Sequence, residues 1–206
     1  MLSIAKLTLG QENYYKDLAR EDYYTNGGEP PGIWAGDAAQ ELGLSGRVDG
    51  QDFSDLFRGE LRGADLVQKQ GQKTRTPAWD LTFNAPKSVS VIFSQADEKE
   101  QKEIREIQQA ATEKALAYME EKCGFTRRGK GGIFTEKAKC LFATFEHGTS
   151  RAEQPHLHTH AILLNVCVRD DGTTGTIKTE KYYQHRHTAG AVYRAEMAHQ
   201  LEQTRP

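Results

Sequence analysis

The sequence predicts an α+β fold built around a mainly antiparallel sheet. Three observations lead to this fold class. Two segments, Ala78–Asn84 and Leu141–His147, alternate apolar and polar residues with the period of a strand. A long helical pattern separates them, and the short connection from Leu141–His147 to the apolar run Pro155–Val168 suffices for a hairpin.

Each strand segment places its side chains in a definite pattern. Within Ala78–Asn84 the large apolar residues alternate with polar ones, which is typical of a strand buried on one face. The next apolar run, Ser88–Phe93, is expected to be a strand or the start of a buried segment. Leu141–His147 directs every second residue to one face, and Pro155–Val168 returns beside it as a longer strand.

Helices and loops fill the remaining chain. Asp97–Lys122 has apolar residues at helical spacing and a glycine just after its end, so we expect a long amphipathic helix. A final helix is expected from about Thr188 to Gln203. Further elements are two short helices, Asp37–Leu42 and Asp52–Phe57, and two loops, Gln68–Pro77 and Arg127–Gly132.

Composition narrows the class of protein. The chain has 206 residues, of which 37% are hydrophobic, and no apolar run approaches the roughly 18 residues needed to span a bilayer. The start lacks a secretory signal, so we expect a cytoplasmic protein. A net charge of −2 is unusual for a non-specific nucleic-acid binder, although a local basic patch remains compatible with it. The three cysteines, Cys123, Cys140 and Cys167, contain no CxxC pair and are expected to be buried and unpaired.

The segment His156–His160 contains three histidines at alternate positions. Alternate residues of a strand share a face, so His156, His158 and His160 are expected to project together. His147 ends the preceding strand and lies beside them if the two strands pair. Clustered neutral imidazoles are a common ligand set for a catalytic metal ion, whereas a single strand histidine is usually only hydrogen-bonded within the sheet.

Acidic and phenolic residues provide further candidates. Asp80 lies on the polar side of its strand, where it suits a hydrogen bond to a metal-bound imidazole, a proton-accepting role, or simple solvation. Four tyrosines form two adjacent pairs, Tyr14–Tyr15 and Tyr23–Tyr24. A tyrosine oxygen can attack a phosphodiester and hold the product covalently, although paired tyrosines also serve as packing residues.

Several ordered motifs resemble those of MobF-type conjugative relaxases in the HUH endonuclease superfamily. The similarity extends from Met1 to about Leu201. The matching segments are the two tyrosine pairs, Glu41–Gly46, Trp79–Ser90, His147–Arg151 and His158–Asn165. The resemblance implies a palm-like α+β domain over residues 1–206, with helices flanking a central antiparallel sheet that holds the metal.

The resemblance also implies roles for particular residues. His147, His158 and His160 match the metal-binding histidines, and Asp80 matches the acidic residue beside the site. Tyr14 matches the principal nucleophile, and the other catalytic tyrosines correspond to Tyr15, Tyr23 and Tyr24. His156 departs from the family pattern, in which a residue such as glutamine is usual, and we expect it to flank the site rather than bind the metal.

The implied activity is a single-strand DNA nicking reaction at a plasmid transfer origin. A divalent ion, Mg²⁺ or Mn²⁺, would polarise the scissile phosphate while tyrosine forms a 5′-phosphotyrosyl link. Implied partners are single-stranded DNA and accessory relaxosome proteins, and the resemblance implies further DNA-clasping segments and a helicase beyond this C-terminus. Basic residues expected to contact the DNA are Arg75, Arg127, Arg128, Lys130 and Lys178.

Two other functions remain possible from the residues themselves. A cupin-like or hydrolytic metal enzyme could use the histidine cluster, but cupins add a glutamate shortly after the histidine pair, and residues 161–165 contain none. A replication-initiator nickase of the same superfamily would share both the metal and the tyrosine. The relaxase-like motifs favour the conjugative enzyme over both.

Overall fold

The computed structural model describes residues 1–19, 30–68, 75–150 and 154–204, with side chains described only to residue 15 in the first range. Its helices are α1 Glu12–Ala19, α2 Asp37–Glu41, α3 Gly50–Arg58, α4 Lys87–Gln95, α5 Glu98–Cys123 and α6 Glu180–Gln203. Its strands are β1 Leu2–Lys6, β2 Ile33–Ala35, β3 Glu60–Leu61, β4 Ala64–Asp65, β5 Ala78–Asn84, β6 Phe125–Arg128, β7 Phe134–Lys137, β8 Lys139–Thr149, β9 Pro155–Val168 and β10 Thr174–Gly175.

The main sheet has the strand order β1-β5-β9-β8-β2, with β10 added to the end of β9. All of these pairings are antiparallel. The predicted α+β class with a central antiparallel sheet is therefore confirmed. Strand β9 lies in the middle because its apolar residues are buried on both faces, and the predicted β8–β9 hairpin is present.

The two faces of this sheet have separate cores. On one face, α4, α5 and α6 cover residues such as Leu81 and Leu163. On the other, α1, α2 and α3 cover residues such as Phe145 and Ile162. The alternation of the strands produces both cores, because adjacent residues of one strand point to opposite faces.

Of the two alternatives for Ser88–Phe93, a strand or the start of a buried segment, the strand is wrong, because the segment lies within helix α4, where Val89, Ser90 and Phe93 are buried. Pro86 stands at its N-cap, and the helical turn places Val89 and Phe93 together in the core. The Ser90 hydroxyl accepts a hydrogen bond from the Leu157 backbone of β9 at 3.1 Å. Packing and this tertiary hydrogen bond therefore outweigh the strand propensity of the β-branched residues.

Two other boundaries also differ from expectation. The segment Arg127–Gly132 is not only a loop, because Arg127 and Arg128 belong to β6, which pairs with β7 around a glycine-rich turn. Helix α6 begins at Glu180 rather than near Thr188. Its first two turns bury only Tyr182, so this part of the sequence lacks the apolar periodicity that predicts a helix.

The long helix α5 agrees closely with the prediction. Asp97 is its N-cap, and its side chain accepts a hydrogen bond from the Glu100 backbone while Glu100 returns one to Asp97. None of the helices in the described ranges is both long and apolar enough to cross a membrane. Residues 69–74 of the predicted polar loop lie outside the described residues.

Candidate metal centre

Three of the predicted histidines meet at one end of the main sheet. His147, near the end of β8, pairs directly with His158 of β9, and His160 lies one pleat further along β9. The centres of these imidazole rings are 5.0–5.4 Å apart. The antiparallel pairing is what brings His147 to residues 11 and 13 positions later in the chain.

The ring nitrogens have definite partners. Nδ1 of His158 contacts the His156 carbonyl oxygen at 2.7 Å, and Nδ1 of His160 contacts Asp80 Oδ2 at 2.7 Å. Because a carbonyl or carboxylate oxygen only accepts, each Nδ1 carries the proton. In a neutral imidazole with this hydrogen bond, Nε2 is the lone-pair nitrogen, which is the form that a metal ligand requires.

Burial keeps two of the imidazoles neutral. It lowers the pKa of His147 to about 3, with further lowering from His160 and His158. It lowers the pKa of His158 to about 4, although the hydrogen bond to the His156 carbonyl opposes this shift. Near pH 7 both side chains are therefore unprotonated and able to donate to a cation.

The donor set fits a divalent metal ion. Three imidazoles that share a tetrahedral ion at about 2.1 Å have ring centres about 5 Å apart, which matches the observed spacing. In the part of the chain that the structure describes, no three ligand side chains already surround a common point. Rotation of the imidazoles is the adjustment required, because the strand pairing already determines the spacing of the rings.

Asp80 links the histidines to the first tyrosine pair. Its Oδ2 contacts His160 and also accepts a hydrogen bond from the Tyr15 hydroxyl at 2.9 Å. Its Oδ1 accepts from Thr82 at 3.1 Å. Sequence reasoning did not assign Thr82 to this network, although its position two residues after Asp80 on the same strand face was a usable signal.

The adjacent tyrosines of α1 have different environments. Tyr15 is 5% exposed, and its ring packs against Phe53, Phe145 and His160. Tyr14 is 44% exposed, and its ring centre lies 5.0 Å from that of Tyr15. The helical turn therefore buries one phenol against Asp80 and leaves the other exposed beside it.

The remaining predicted residues near the site are Tyr23, Tyr24 and His156. Tyr23 and Tyr24 lie outside the described residues. His156 stacks on His158, with ring centres 4.6 Å apart and an angle of 21° between the ring planes. Its backbone carbonyl and its ring thus both support His158, which agrees with a flanking position.

The basic residues expected to contact DNA are not gathered at the histidines. Arg75 donates hydrogen bonds to the carbonyls of Asn165 and Phe57 at 2.6 and 2.8 Å, which gives it a structural role. The other four lie around β6 and the start of α6, beyond the β9 end at Val168. Arg127 pairs with Glu180, Arg128 pairs with Glu136 and Asp171, Lys178 is half-buried, and Lys130 is exposed. Their contact with DNA stays a prediction.

Comparison with known proteins defines the class that this fold and cluster represent. The TrwC relaxase family matches residues 9–205, so the chain belongs to that family. It is 34% identical over 98% of its length to the multifunctional conjugation protein TraI of Escherichia coli strain K12. The chain spans only 12% of the length of that curated relative.

Solved structures of conjugative relaxase TrwC share the fold. A metal-bound complex of TrwC with OriT DNA superposes with a TM-score of 0.85 at 31% identity, covering 98% of this chain and 70% of the other. A metal-free complex with OriT DNA gives a TM-score of 0.83 at 32% identity, covering 98% and 69%. A copper-bound complex is equally similar, with a TM-score of 0.84 at 32% identity and coverage of 98% and 70%.

Proposed function

We propose that this chain nicks one DNA strand at a plasmid transfer origin and becomes joined to its 5′ phosphate through Tyr14. The observation that supports this proposal most directly is the exposed Tyr14 next to a buried Tyr15, whose hydroxyl donates to Asp80, the residue that contacts His160. Membership of the TrwC relaxase family supports the same reaction.

The chemistry proceeds by transesterification. The Tyr14 oxygen attacks the scissile phosphorus in line, and its proton passes to solvent. The bond from phosphorus to the 3′ oxygen breaks, and that oxygen takes up a proton to become a 3′ hydroxyl. The phosphotyrosyl link preserves the energy of the phosphodiester, so religation or transfer needs no nucleotide triphosphate.

The other side chains of the site would bind the metal ion or orient the residues that bind it. His147, His158 and His160 would hold a divalent ion, for which we propose Mg²⁺ or Mn²⁺, and such an ion offsets charge on the non-bridging oxygens of the phosphate. Asp80 fixes the tautomer of His160 through the Nδ1 contact. Tyr15 contributes packing and a hydrogen bond, which makes it a positioning residue for Asp80.

The proposal extends to partners and to a second step. Tyr23 and Tyr24 are the candidates for a second strand transfer. The substrate is single-stranded DNA with a transfer-origin nick site, with accessory relaxosome proteins as further partners and the cytoplasm as the location. Arg127, Arg128, Lys130 and Lys178 would contact the DNA backbone away from the cleaved bond.

An adduct assay tests this function. The chain is incubated with single-stranded oligonucleotides that carry transfer-origin nick sites, together with Mg²⁺ or Mn²⁺, and SDS-resistant protein–DNA adducts are measured. Tyr14→Phe should reduce the adduct to background, because it keeps the ring and removes only the attacking oxygen. Tyr15→Phe is the matched control and should still form adduct.

Peptide mapping of the adduct identifies the attacking residue. DNA attached at Tyr23 or Tyr24 in the first cleavage would contradict the assignment of Tyr14. Absence of any adduct with an intact, folded chain would contradict the transesterase function itself.

A further inference from the structure

Behind the three histidines, on the opposite face of the sheet, lies a buried set of polar side chains. Thr159 stands between His158 and His160 in β9, so its hydroxyl points to the α5 and α6 side. The Gln108 amide nitrogen of α5 donates to that hydroxyl at 2.8 Å. Tyr193 of α6 donates in turn to the Gln108 oxygen at 2.5 Å.

These groups are isolated from water. Gln108 and Tyr193 are completely buried, and Thr159 is 4% exposed. Most of the surrounding core is apolar, and an unpaired polar group there is destabilising. Each of these side chains instead has a partner, and the Gln108 amide nitrogen also lies 3.4 Å from the Phe83 carbonyl of β5. The network therefore joins α5, α6, β5 and β9 at one position.

The neighbouring strand has a second attachment to the same helix. Arg105, one turn before Gln108, forms an ion pair of 2.5 Å with Glu146 of β8. Glu146 precedes His147 and is the cross-strand partner of Thr159. The Arg105 guanidinium also lies 4.9 Å from the centre of the Phe93 ring. One turn of α5 thus binds each strand at a residue adjacent to a histidine.

We propose that Gln108, Thr159 and Tyr193, together with the Arg105–Glu146 pair, form a polar clamp that positions the three histidines for metal binding. Apolar packing is not directional, whereas hydrogen bonds restrict the rotation of the groups that they join. Because Thr159 shares its backbone with His158 and His160, a fixed Thr159 limits how those two residues tilt. Ligand sites require such support, since a deviation of about 0.5 Å already weakens them.

The clamp is distinct from the partners that touch the imidazoles themselves. Asp80 and the His156 carbonyl act on ring nitrogens, whereas the clamp acts on the strands from the other face. This inference rests on the proposed metal-dependent function. It assigns positioning roles to residues that bind neither DNA nor metal.

Calorimetric Mn²⁺ binding to the full chain tests the clamp. Thr159→Val keeps the shape and deletes the hydroxyl, and Gln108→Leu deletes the amide with its contacts to Thr159, Tyr193 and Phe83. We expect each to lower Mn²⁺ affinity by about tenfold, the scale seen for outer partners of metal ligands. Thr159→Ser restores the hydroxyl and should keep affinity within about threefold of wild type.

A matched control separates positioning from general stability. Asn165 lies in the same strand, is buried, and is also hydrogen-bonded through both ends of its amide: it donates to Thr76 at 2.7 Å and accepts from Ile177 at 2.9 Å. Asn165→Leu should lower the melting temperature as Gln108→Leu does, yet leave Mn²⁺ affinity unchanged. The visible absorption of bound Co²⁺ should likewise change only in the clamp variants.

The outcomes are distinguishable. Normal Mn²⁺ affinity in both Thr159→Val and Gln108→Leu overturns the clamp and leaves the proposed function intact. An equal loss of affinity in Asn165→Leu also overturns it, because the effect would then be general destabilisation. A wild-type chain that binds no Mn²⁺ refutes the metal centre and the role of the clamp together.

Discussion

Strands β8 and β9 pair along most of their length, yet side chains at the two ends of the pair have different environments. At one end, His147, His158 and His160 lie together on the sheet face toward α1, and burial keeps His147 and His158 neutral. Nine residues beyond His158 along β9, about 30 Å away, Cys140 and Cys167 are cross-strand neighbours with free, completely buried side chains. The same two strands thus end in a ligand cluster and in a packed core.

The difference lies in how polar groups are satisfied. At the far end both the nitrogen and the oxygen of the Asn165 amide are hydrogen-bonded within the protein, to Thr76 and Ile177, so this side chain has a structural role. At the histidine end the Nδ1 atoms of His158 and His160 are hydrogen-bonded and each Nε2 is left as a lone-pair donor. Burial of polar residues alone does not identify a site. What distinguishes the site is that lone pairs of buried side chains remain available to bind a ligand.

The largest expected effect is loss of the metal at the histidine end. His158→Ala removes one ligand and should weaken Mn²⁺ binding by about 100-fold or more, since loss of even an outer partner costs 10–100-fold. Isothermal titration calorimetry measures this change in Mn²⁺ affinity. His156→Ala is the matched control, because it removes only the ring stacked on His158 and should reduce affinity less than tenfold. An equal loss of Mn²⁺ affinity in both variants would indicate that His156 also binds the metal.

A smaller effect is expected where a residue tunes the site without binding the ion. Asp80→Asn removes the charge that holds His160 and should lower the cleavage rate about 10–100-fold, while metal affinity changes less than tenfold. Single-turnover cleavage and calorimetry separate the two. Thr82→Val, which deletes a hydrogen bond to the other carboxylate oxygen, should have little effect. A metal-bound structure with Asp80 oxygen at ligand distance would contradict this role.

The far end should show a stability effect that depends on pH. Burial raises the pKa of Glu120 to about 7, and its carboxylate accepts from the Cys140 backbone at 2.5 Å. Because the folded pKa exceeds the usual value of 4.5, stability is present at low pH and is lost as pH rises through about 7. Glu120→Gln should therefore gain about 1–2 kcal/mol relative to wild type between pH 5 and pH 8, a discounted value for a partly exposed group.

Urea unfolding at the two pH values measures this gain. Glu121→Gln is the control, because that carboxyl is exposed and its pKa is lowered by the hydrogen bond to Lys122. A Glu120→Gln variant whose stability relative to wild type is the same at both pH values would show that Glu120 is not held in a low-polarity environment.

The smallest effect is expected for the exposed far-end lysine. Lys130→Ala should weaken single-stranded DNA binding two- to threefold and reduce the salt slope of log affinity by about 0.7, the value for one phosphate contact. The adduct rate at saturating DNA should be unchanged. Lys99→Ala, on the exposed start of α5, is the control. If the two variants bind DNA equally well, Lys130 makes no DNA contact.

Local sequence patterns determined much of the fold. Strands Ala78–Asn84 and Pro155–Val168 have the predicted bounds, because alternating or continuous apolar residues specify which faces are buried. Helix α5 was predictable from its apolar spacing and from the glycine after its end. The histidine face was also predictable, since residues two apart in a strand must share a side.

Other features depended on tertiary contacts. Helix α4 forms in a segment with strand propensity because Val89 and Phe93 pack together and Ser90 bonds to β9. Similarly, the difference between Tyr14 and Tyr15 could not come from their identical side chains. It comes from the orientation of α1 over Phe53 and Phe145.

The sequence by itself determined which residues could share a strand face and which chemistry those residues offer, because backbone geometry imposes a period of two on every strand. It did not determine the partners across elements. The contact of Asp80 with His160 and Tyr15, and that of Gln108 with Thr159, joins residues 51 to 80 positions apart. Only the packed fold decides such pairs, since they depend on strand register and helix orientation, which no local pattern contains.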